Sequence, residues 1–80
     1  IFICKLNYNG GFVWAKSIGA TSNDEGRSIA VDGAGNVYTT GYFQGNVDFD
    51  PGVGTNYLTG VGSPDIFISK LDAAGNFVWA

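Results

Sequence analysis

The 80-residue sequence contains no histidine, no methionine and a single cysteine, and these shortages exclude several kinds of site. Without histidine there is no Ser-His or Cys-His nucleophile pair and no histidine-bearing metal site. The GxSxG, HExxH and P-loop signatures are missing as well. We therefore do not expect an enzyme within these residues, and we assign no catalytic and no cofactor-binding residue.

Charged residues are also scarce, at 14% of the sequence, and acidic residues outnumber basic ones by seven to four. The resulting net charge of −3 disfavours binding to the phosphate backbone of nucleic acids and to anionic membranes. No apolar run approaches the ~20 residues that a membrane-spanning helix needs. The sequence therefore predicts neither a nucleic-acid partner nor membrane insertion.

Glycine and aromatic residues, in contrast, are abundant, at 13 of 80 residues and at 15% of the sequence. This combination is typical of tight turns that connect apolar strands. No segment shows helical periodicity, so we predict an all-β chain. The single thiol, Cys4, is interpreted as a small residue that faces a packed sheet, or alternatively as a pairing thiol.

The first fifteen residues recur at the end of the chain. Residues 1–15 read IFICKLNYNGGFVWA and residues 66–80 read IFISKLDAAGNFVWA, so ten of fifteen positions are identical at an offset of 65 residues. Each copy consists of two strand-like runs joined by a Gly/Asn turn, and we predict that both adopt the same hairpin. The fixed period indicates a repeat architecture. We expect the 80 residues to be an excerpt of a longer repetitive chain.

One period supplies four strand-like runs, which read in order RSIAVD, VYTTGYF, DIFISKL and FVWAKSI. Joined by turns, they predict one antiparallel up-and-down sheet of four strands. Both faces of the DIFISKL run are apolar, with Ile66 and Ile68 on one side and Phe67 and Leu71 on the other. Such a sheet must be covered on both faces by sheets of its own kind. Radial stacking of four-stranded sheets forms a β-propeller.

Three motifs carry a resemblance to a known family: SIAVDGAGNVYTTGYF at 28–43, VDFDPG at 47–52 and DIFISKLDAAGNFVWA at 65–80. In this order they resemble the bacterial β-propeller repeats known as SBBP repeats. The resemblance implies a propeller blade in a secreted or cell-surface bacterial protein, with SIAVD as the inner strand of the blade. It brings no common catalytic residue with it.

The predicted organisation has three segments, one of which is a complete blade. They are the outer hairpin of a preceding blade (1–18), a loop (19–26) and one blade (27–80), the last made of an inner hairpin (27–43), an excursion (44–64) and an outer hairpin (65–80). The first hairpin lacks inner strands of its own. We therefore expect its free edge and apolar faces to recruit a neighbouring blade or another copy of the chain.

Two pairs of residues are candidates for ligand contacts. Asp48 and Asp50 lie on one face of a predicted short strand and are candidate calcium ligands; the alternative is a solvated face before a Pro-Gly turn. Trp14 and Trp79 occupy the same place in the two copies. This repetition favours packing between blades, and the alternative is stacking on a sugar ring.

The sequence thus favours a non-catalytic extracellular scaffold or interaction module, secreted or at the cell surface. Its ligand, a protein or a glycan, would be selected by the variable loops at 19–26 and 44–64. The rival hypothesis is a structural protein whose repeats or copies assemble into a large particle or filament. The expected partners are neighbouring blades or other copies, and the only cofactor considered is calcium.

Overall fold

The computed structural model describes residues 1–19, 24–60 and 64–80, and all regular structure within these ranges is β-strand. The predicted loop positions 20–23 and 61–63 lie outside the described residues. The strands are β1 (Phe2–Leu6), β2 (Phe12–Ser17), β3 (Glu25–Val31), β4 (Val37–Phe43), β5 (Asn46–Asp48), β6 (Tyr57–Thr59), β7 (Asp65–Leu71) and β8 (Phe77–Trp79). In these ranges no helix is long and apolar enough to cross a membrane. The prediction of an all-β fold is confirmed.

The central sheet has four antiparallel strands in the order β3-β4-β7-β8. This is the up-and-down order predicted for a blade, with the chain leaving after β4 and returning at β7. The β4–β7 ladder runs without a break from the Val37–Leu71 pair to the Phe43–Asp65 pair. The excursion forms a small hairpin of its own, β5–β6, and β1–β2 forms another.

Strand β3 begins earlier than predicted, which corrects the boundary placed after the loop 19–26. Glu25 and Gly26 belong to the strand and pair with Tyr42 and Gly41 of β4. A register shift between Gly26 and Ser28 lets the pairing continue. Gly41 makes this possible, because a Cβ there would collide with the backbone carbonyl of Glu25.

The two copies of the repeated segment adopt the same hairpin, as predicted. The shared pairs are Lys5–Trp14 and Leu6–Phe12 in β1–β2, and Lys70–Trp79 and Leu71–Phe77 in β7–β8. Both hairpins also carry a register shift at the same step, between Lys5 and Leu6 and between Lys70 and Leu71. The irregularity of the ladder is therefore a property of the repeated segment, although only Gly10 and Gly75 are identical within the two turns.

Three turns, at residues 7–11, 32–36 and 72–76, share one hydrogen-bond network. In each, the first side chain accepts two backbone N–H groups through Oδ1, at 2.8–3.0 Å; these acceptors are Asn7, Asp32 and Asp72. The fourth position is a glycine with φ of 81–86°, a conformation that favours glycine. Asn7 replaces aspartate without changing the turn, because only a side-chain oxygen is needed there.

Asp32 accepts two further hydrogen bonds, from the side-chain amide of Asn36 at 3.0 Å and the hydroxyl of Tyr38 at 2.9 Å. The Asn36 amide is the largest cause that lowers the pKa of Asp32 to about 2. Partial desolvation opposes this shift, while the Tyr38 hydroxyl and two backbone N–H groups reinforce it. The Asp32 turn is therefore the one most dependent on an ionised carboxylate.

The core lies on one face of the central sheet and includes side chains of the β1–β2 hairpin and of the excursion. Its buried members are Ile3, Trp14, Ile18, Val37, Phe43, Val47, Phe49, Phe67 and Leu71. Three phenylalanine rings, at positions 43, 49 and 67, contact one another with centroids 4.8–6.5 Å apart. Most of the area buried in this core is apolar, so the hairpin is held on the sheet chiefly by the hydrophobic effect.

Trp14 connects the hairpin to the turn at 72–76. Its indole N–H donates to the backbone carbonyl of Ala73 at 3.1 Å, and the ammonium of Lys5 donates to the same oxygen at 2.9 Å. A Cβ added to Gly75 would lie 3.0 Å from the indole of Trp14 and 2.9 Å from the side chain of Lys16. The ring therefore packs directly on a backbone that has no side chain at that point.

Acidification should remove a stabilising contribution of Asp32. Because its folded-state pKa is below the ordinary value, the carboxylate favours the folded chain above pH 3.8, and this contribution is lost as the pH falls towards about 2. Asp32→Asn keeps the Oδ1 acceptor but cannot accept from Asn36 and Tyr38. We expect a lower melting temperature at neutral pH and a smaller further decrease on acidification, measured by circular dichroism. Parallel pH profiles for the two proteins would contradict the assignment.

Truncation of Trp14 should have a much larger effect than truncation of Trp79. Trp14 is 9% exposed and Trp79 is 44% exposed, although they are equivalent in the repeat. We expect Trp14→Ala to lower the free energy of unfolding by about 3–5 kcal/mol, the usual cost of removing a large core side chain. Trp79→Ala is the matched control. Equal losses in urea denaturation would show that Trp14 does not hold the hairpin on the sheet.

Candidate interaction surfaces

The two equivalent hairpins, β1–β2 and β7–β8, have two faces each, and in each hairpin one face is buried and the other is exposed. The hairpin inner face is Ile1, Ile3, Lys5 and Trp14; the hairpin outer face is Phe2, Cys4, Leu6 and Phe12; the covered sheet face is Phe67, Ser69, Leu71 and Phe77; the open sheet face is Ile66, Ile68, Lys70 and Trp79. The inner face packs on the covered sheet face within the chain. At an offset of 65 residues, the open sheet face repeats the hairpin inner face, and the covered sheet face repeats the hairpin outer face.

The open sheet face and the hairpin outer face both expose large apolar side chains. Ile66 is 80% exposed and Phe2 is 79% exposed, whereas their equivalents Ile1 and Phe67 pack in or against the core. The same residue types are thus buried in one copy and exposed in the other. Contiguous exposed apolar surface of this kind marks an interaction site.

Cys4 corrects one of the sequence expectations. The sequence predicts a small residue facing a packed sheet, but Cys4 is exposed on the hairpin outer face. Its equivalent, Ser69, is the buried one, because the hairpin covers that side of the sheet, whereas no strand of the described residues lies over Cys4. The position tolerates both residues, since both are small.

An aromatic and cationic cluster lies on the open sheet face. The rings of Tyr38 and Trp79 are 6.4 Å apart at 55°, and the ammonium of Lys70 lies 5.2 Å from the centre of the Tyr38 ring. The Tyr38 hydroxyl is held by Asp32, so the turn at 32–36 orients the cluster. Both Trp79 and Lys70 remain accessible on this surface. The cluster could contact another protein surface or a sugar ring.

The strand end near Tyr42 carries a small charged network. Its hydroxyl donates to the carboxylate of Glu25, which also pairs with Arg27 at 2.9 Å. The Tyr42 hydrogen bond is the main cause that lowers the pKa of Glu25, and the same bond raises the pKa of Tyr42. Because these groups face solvent, the network orients the edge of the sheet and adds little stability.

The candidate calcium ligands Asp48 and Asp50 are both engaged with the backbone. Only Asp48 belongs to β5, and its Oδ1 accepts the N–H groups of Asp50 at 3.0 Å and Asn56 at 2.8 Å. Oδ1 of Asp50 accepts the N–H of Gly52 at 2.8 Å. Over the described ranges, no three His, Cys, Asp or Glu side chains are grouped to hold a metal ion. These contacts are those of the alternative interpretation, turn formation, and calcium binding stays a prediction.

The excursion is anchored at its base and exposed at its tip. Val47 and Phe49 are fully buried, and the N–H of Phe49 donates to the carbonyl of Asn56 at 2.8 Å. Val53 at the tip and Tyr57 on β6, opposite Asp48, project into solvent. A loop held in this way presents apolar contacts in a defined position without depending on them for folding.

A cleft of about 320 Å³ separates the β1–β2 hairpin from the edge of the central sheet. Its walls include Leu6 and Trp14 on the hairpin and Ile29 and Val31 on β3. It arises because a hairpin of two strands lies over a sheet of four. The edge strand β3 therefore keeps an apolar surface that the hairpin does not reach.

Sequence reasoning identified the tryptophans but missed their partners. The carbonyl of Ala73, which accepts from both Trp14 and Lys5, is a backbone group that side-chain patterns do not indicate. The role of Gly75 as the surface on which Trp14 packs was missed too. A signal existed for Gly75, because Gly10 occupies the same place in the other copy.

Comparison with known proteins agrees with this architecture. Residues 13–50, from β2 through β5, match the family described as Beta-propeller repeat (SBBP). An uncharacterized WD repeat-containing protein of Acanthamoeba polyphaga mimivirus is 26% identical over 88 aligned positions, which cover 92% of this chain and 6% of that protein. The chain thus spans a small fraction of the relative's length. No solved structure matches it. Residues 13–50 of this chain thus match a β-propeller repeat of the SBBP family.

Proposed function

We propose that this chain is a non-catalytic repeat of a larger extracellular β-propeller protein, where it serves as a scaffold and interaction module. One observation carries the proposal. The same hairpin occurs twice. The inner face of the first copy covers one face of the central sheet, whereas the equivalent face of the second copy, the open sheet face, is uncovered. A unit that covers a neighbour with one face and requires a neighbour on the other is built as one member of an array.

Several features support a scaffold role in preference to catalysis. The residues with the most specific contacts, Trp14, Asp32 and Gly75, hold strands and turns together. The relative from mimivirus is named for WD repeats, which build propeller blades of four strands. The extracellular assignment rests on the resemblance to SBBP repeats alone.

The excursion at 44–64 is the proposed ligand-contacting segment. Its base is fixed by Val47 and Phe49, and it exposes Tyr57 on β6 and Val53 at its tip. Loops on a rigid β-scaffold commonly carry recognition. The proposed ligand is a protein or a glycan, and a glycan could also stack on Trp79 where no blade covers it.

Tandem extension tests the repeat function directly. In the engineered tandem protein, residue 80 is followed by a second copy of residues 16–80, so that the 65-residue period continues without interruption. Each added period buries an open sheet face with two isoleucines and a tryptophan, so we expect the free energy of unfolding to rise by roughly 3 kcal/mol or more per period. The measurement is urea denaturation of one, two and three periods. The matched control is the same series with Trp79→Ala at each junction, in which the increment should shrink. Stability independent of the number of periods would contradict the proposal.

Surface labelling tests the location of the parent protein. A short epitope inserted after Gly54, at the exposed tip of the excursion, should leave folding unchanged because the base residues are untouched. We expect antibody to bind the tagged full-length protein on intact, unpermeabilised cells or in the medium. A tagged cytosolic protein is the control. Detection only after permeabilisation would overturn the extracellular part of the proposal.

A second candidate function is structural self-assembly. It is favoured by the exposure of two complementary apolar faces on a single chain, the hairpin outer face and the open sheet face. Such a chain could bind others like itself as readily as it binds the next repeat.

A further inference from the structure

The β1–β2 hairpin leaves part of the face on which it packs uncovered, at the end of β3 that carries Ile29 and Val31. These two side chains pair with buried residues of β4, so they point to the core side of the sheet, yet both are more than half exposed. We propose that the inner strands of the preceding blade cover them, with Ile29 and Val31 inserting between the small side chains equivalent to Ser28 and Ala30. The proposal rests on the proposed repeat function and specifies the contact that consecutive blades make beside β3.

The structure has room for such strands at this point. In the central sheet, β4 pairs with the whole length of β7. Since β1 repeats β7 at an offset of 65 residues, a strand equivalent to β4 would lie along the edge of β1 that β2 leaves unpaired. Strand β1 forms much of one wall of the cleft of about 320 Å³, and Ile29 and Val31 belong to the opposite wall. The inner contact is therefore continuous with the contact that the hairpin already makes on the sheet.

The opposite face of β3 and β4 has the complementary shape. Ser28 and Ala30 alternate with Ile29 and Val31 along β3, so one face of the strand is small and the other is large. A row of large side chains in one blade can therefore interdigitate with a row of small ones in the blade before it. The small face borders a depression of about 260 Å³, whose lining includes Ser28, Ala30, Tyr38, Thr40 and Ile68.

The polar groups of this depression are satisfied within their own blade. The hydroxyl of Thr40 donates to the carbonyl of Phe67 at 2.8 Å, and the hydroxyl of Tyr38 donates to Asp32 at 2.9 Å. A charged or polar side chain entering the depression would lose water without gaining these groups as partners. The depression therefore favours aliphatic side chains, and β3 offers an isoleucine and a valine on its other face.

The inner contact is thinner than the outer one, and this difference curves the array. Beside β3, small side chains meet Ile29 and Val31, whereas beside β7 the layer contains the Trp14 indole and the ring of Phe67. Sheets joined in this way lie closer together at β3 than at β8. Successive blades therefore turn around β3, which favours closure into a ring over the open filament of the second candidate function.

The tandem protein of two periods contains a covered and an uncovered copy of the same residue. In the second period, Ile29 faces the inner strands of the first blade, whereas Ile29 of the first period has no such neighbour. We expect Ile29→Ala in the second period to lower the folding equilibrium constant about 30-fold or more, measured by urea denaturation. In the first period the loss should be about fivefold or less, because mainly β-propensity is lost. Equal losses would overturn the proposal.

A reversal of side-chain size tests the pairing of the two positions. Ala30→Leu in the first period fills the depression that faces the second blade and should lower the folding equilibrium constant about tenfold. The same substitution in the second period, where the depression faces solvent, is the matched control and should have little effect. Ala30→Leu in the first period combined with Ile29→Ala in the second should recover part of both losses. Strictly additive losses would show that the two positions do not meet.

The distance between the chain ends tests the curvature. With dyes at the two termini, energy transfer is measured for tandem proteins of two to eight periods, the range over which propellers close. We expect the separation to rise and then fall as periods are added. A steady increase of about 10 Å per period, the spacing of flat stacked sheets, would overturn the closer approach at β3.

The stability of the tandem series separates this proposal from the repeat function on which it rests. If each period adds stability but Ile29→Ala costs the same in both periods, the repeat function stands and the inner contact is wrong. If added periods bring no stability, the repeat function fails, and the inner contact fails with it.

Discussion

The constraint on which this structure depends is that a four-stranded sheet with two apolar faces must be covered on both of them. The covered sheet face receives the β1–β2 hairpin, and the core forms there. Trp14 supplies more than apolar area, because its N–H and the ammonium of Lys5 converge on the carbonyl of Ala73. Dispersion alone would allow the hairpin to slide over the sheet, whereas a shared carbonyl fixes its position.

The tight turns are the means by which the faces are brought into register. Asn7, Asp32 and Asp72 each close a five-residue turn by accepting backbone N–H groups, and each turn leaves a carbonyl and a glycine on its surface. The turn at 72–76 thereby provides the surface on which Trp14 packs. Turn chemistry, usually regarded as a local matter, here determines where the neighbouring layer lies. The additional bonds from Asn36 and Tyr38 to Asp32 extend this control to the open sheet face.

Much of the fold could be predicted from the sequence, because alternation, turn residues and internal repetition are local signals. Strands β4 and β7 match the predicted VYTTGYF and DIFISKL runs residue for residue. The start of β3 was predicted too late, since a glycine opposite a bulge looks like loop until its partner strand is known. Of the candidate surface, the sequence indicated Trp14 and Trp79 but neither the Ala73 carbonyl nor the burial of Ser69 in place of Cys4. Those depend on which face a neighbouring layer covers.

Identical residues with unequal burial are the main lesson of the repeated segment. Phe2 and Phe67 occupy the same position in the repeat, yet Phe67 is buried and Phe2 is exposed. The isoleucines on either side of them are the same in both copies, so the difference lies in the neighbours that each copy has. The stability of such a unit therefore belongs to the interface between units more than to the unit itself. A further consequence concerns Thr39 and Ser69, whose buried hydroxyl groups have no hydrogen-bond partner at that interface. Cys4 occupies the position equivalent to Ser69, so the repeat can carry a less polar residue there. The free-energy cost of an unpaired hydroxyl at this position therefore arises only at Ser69, in the copy that is covered.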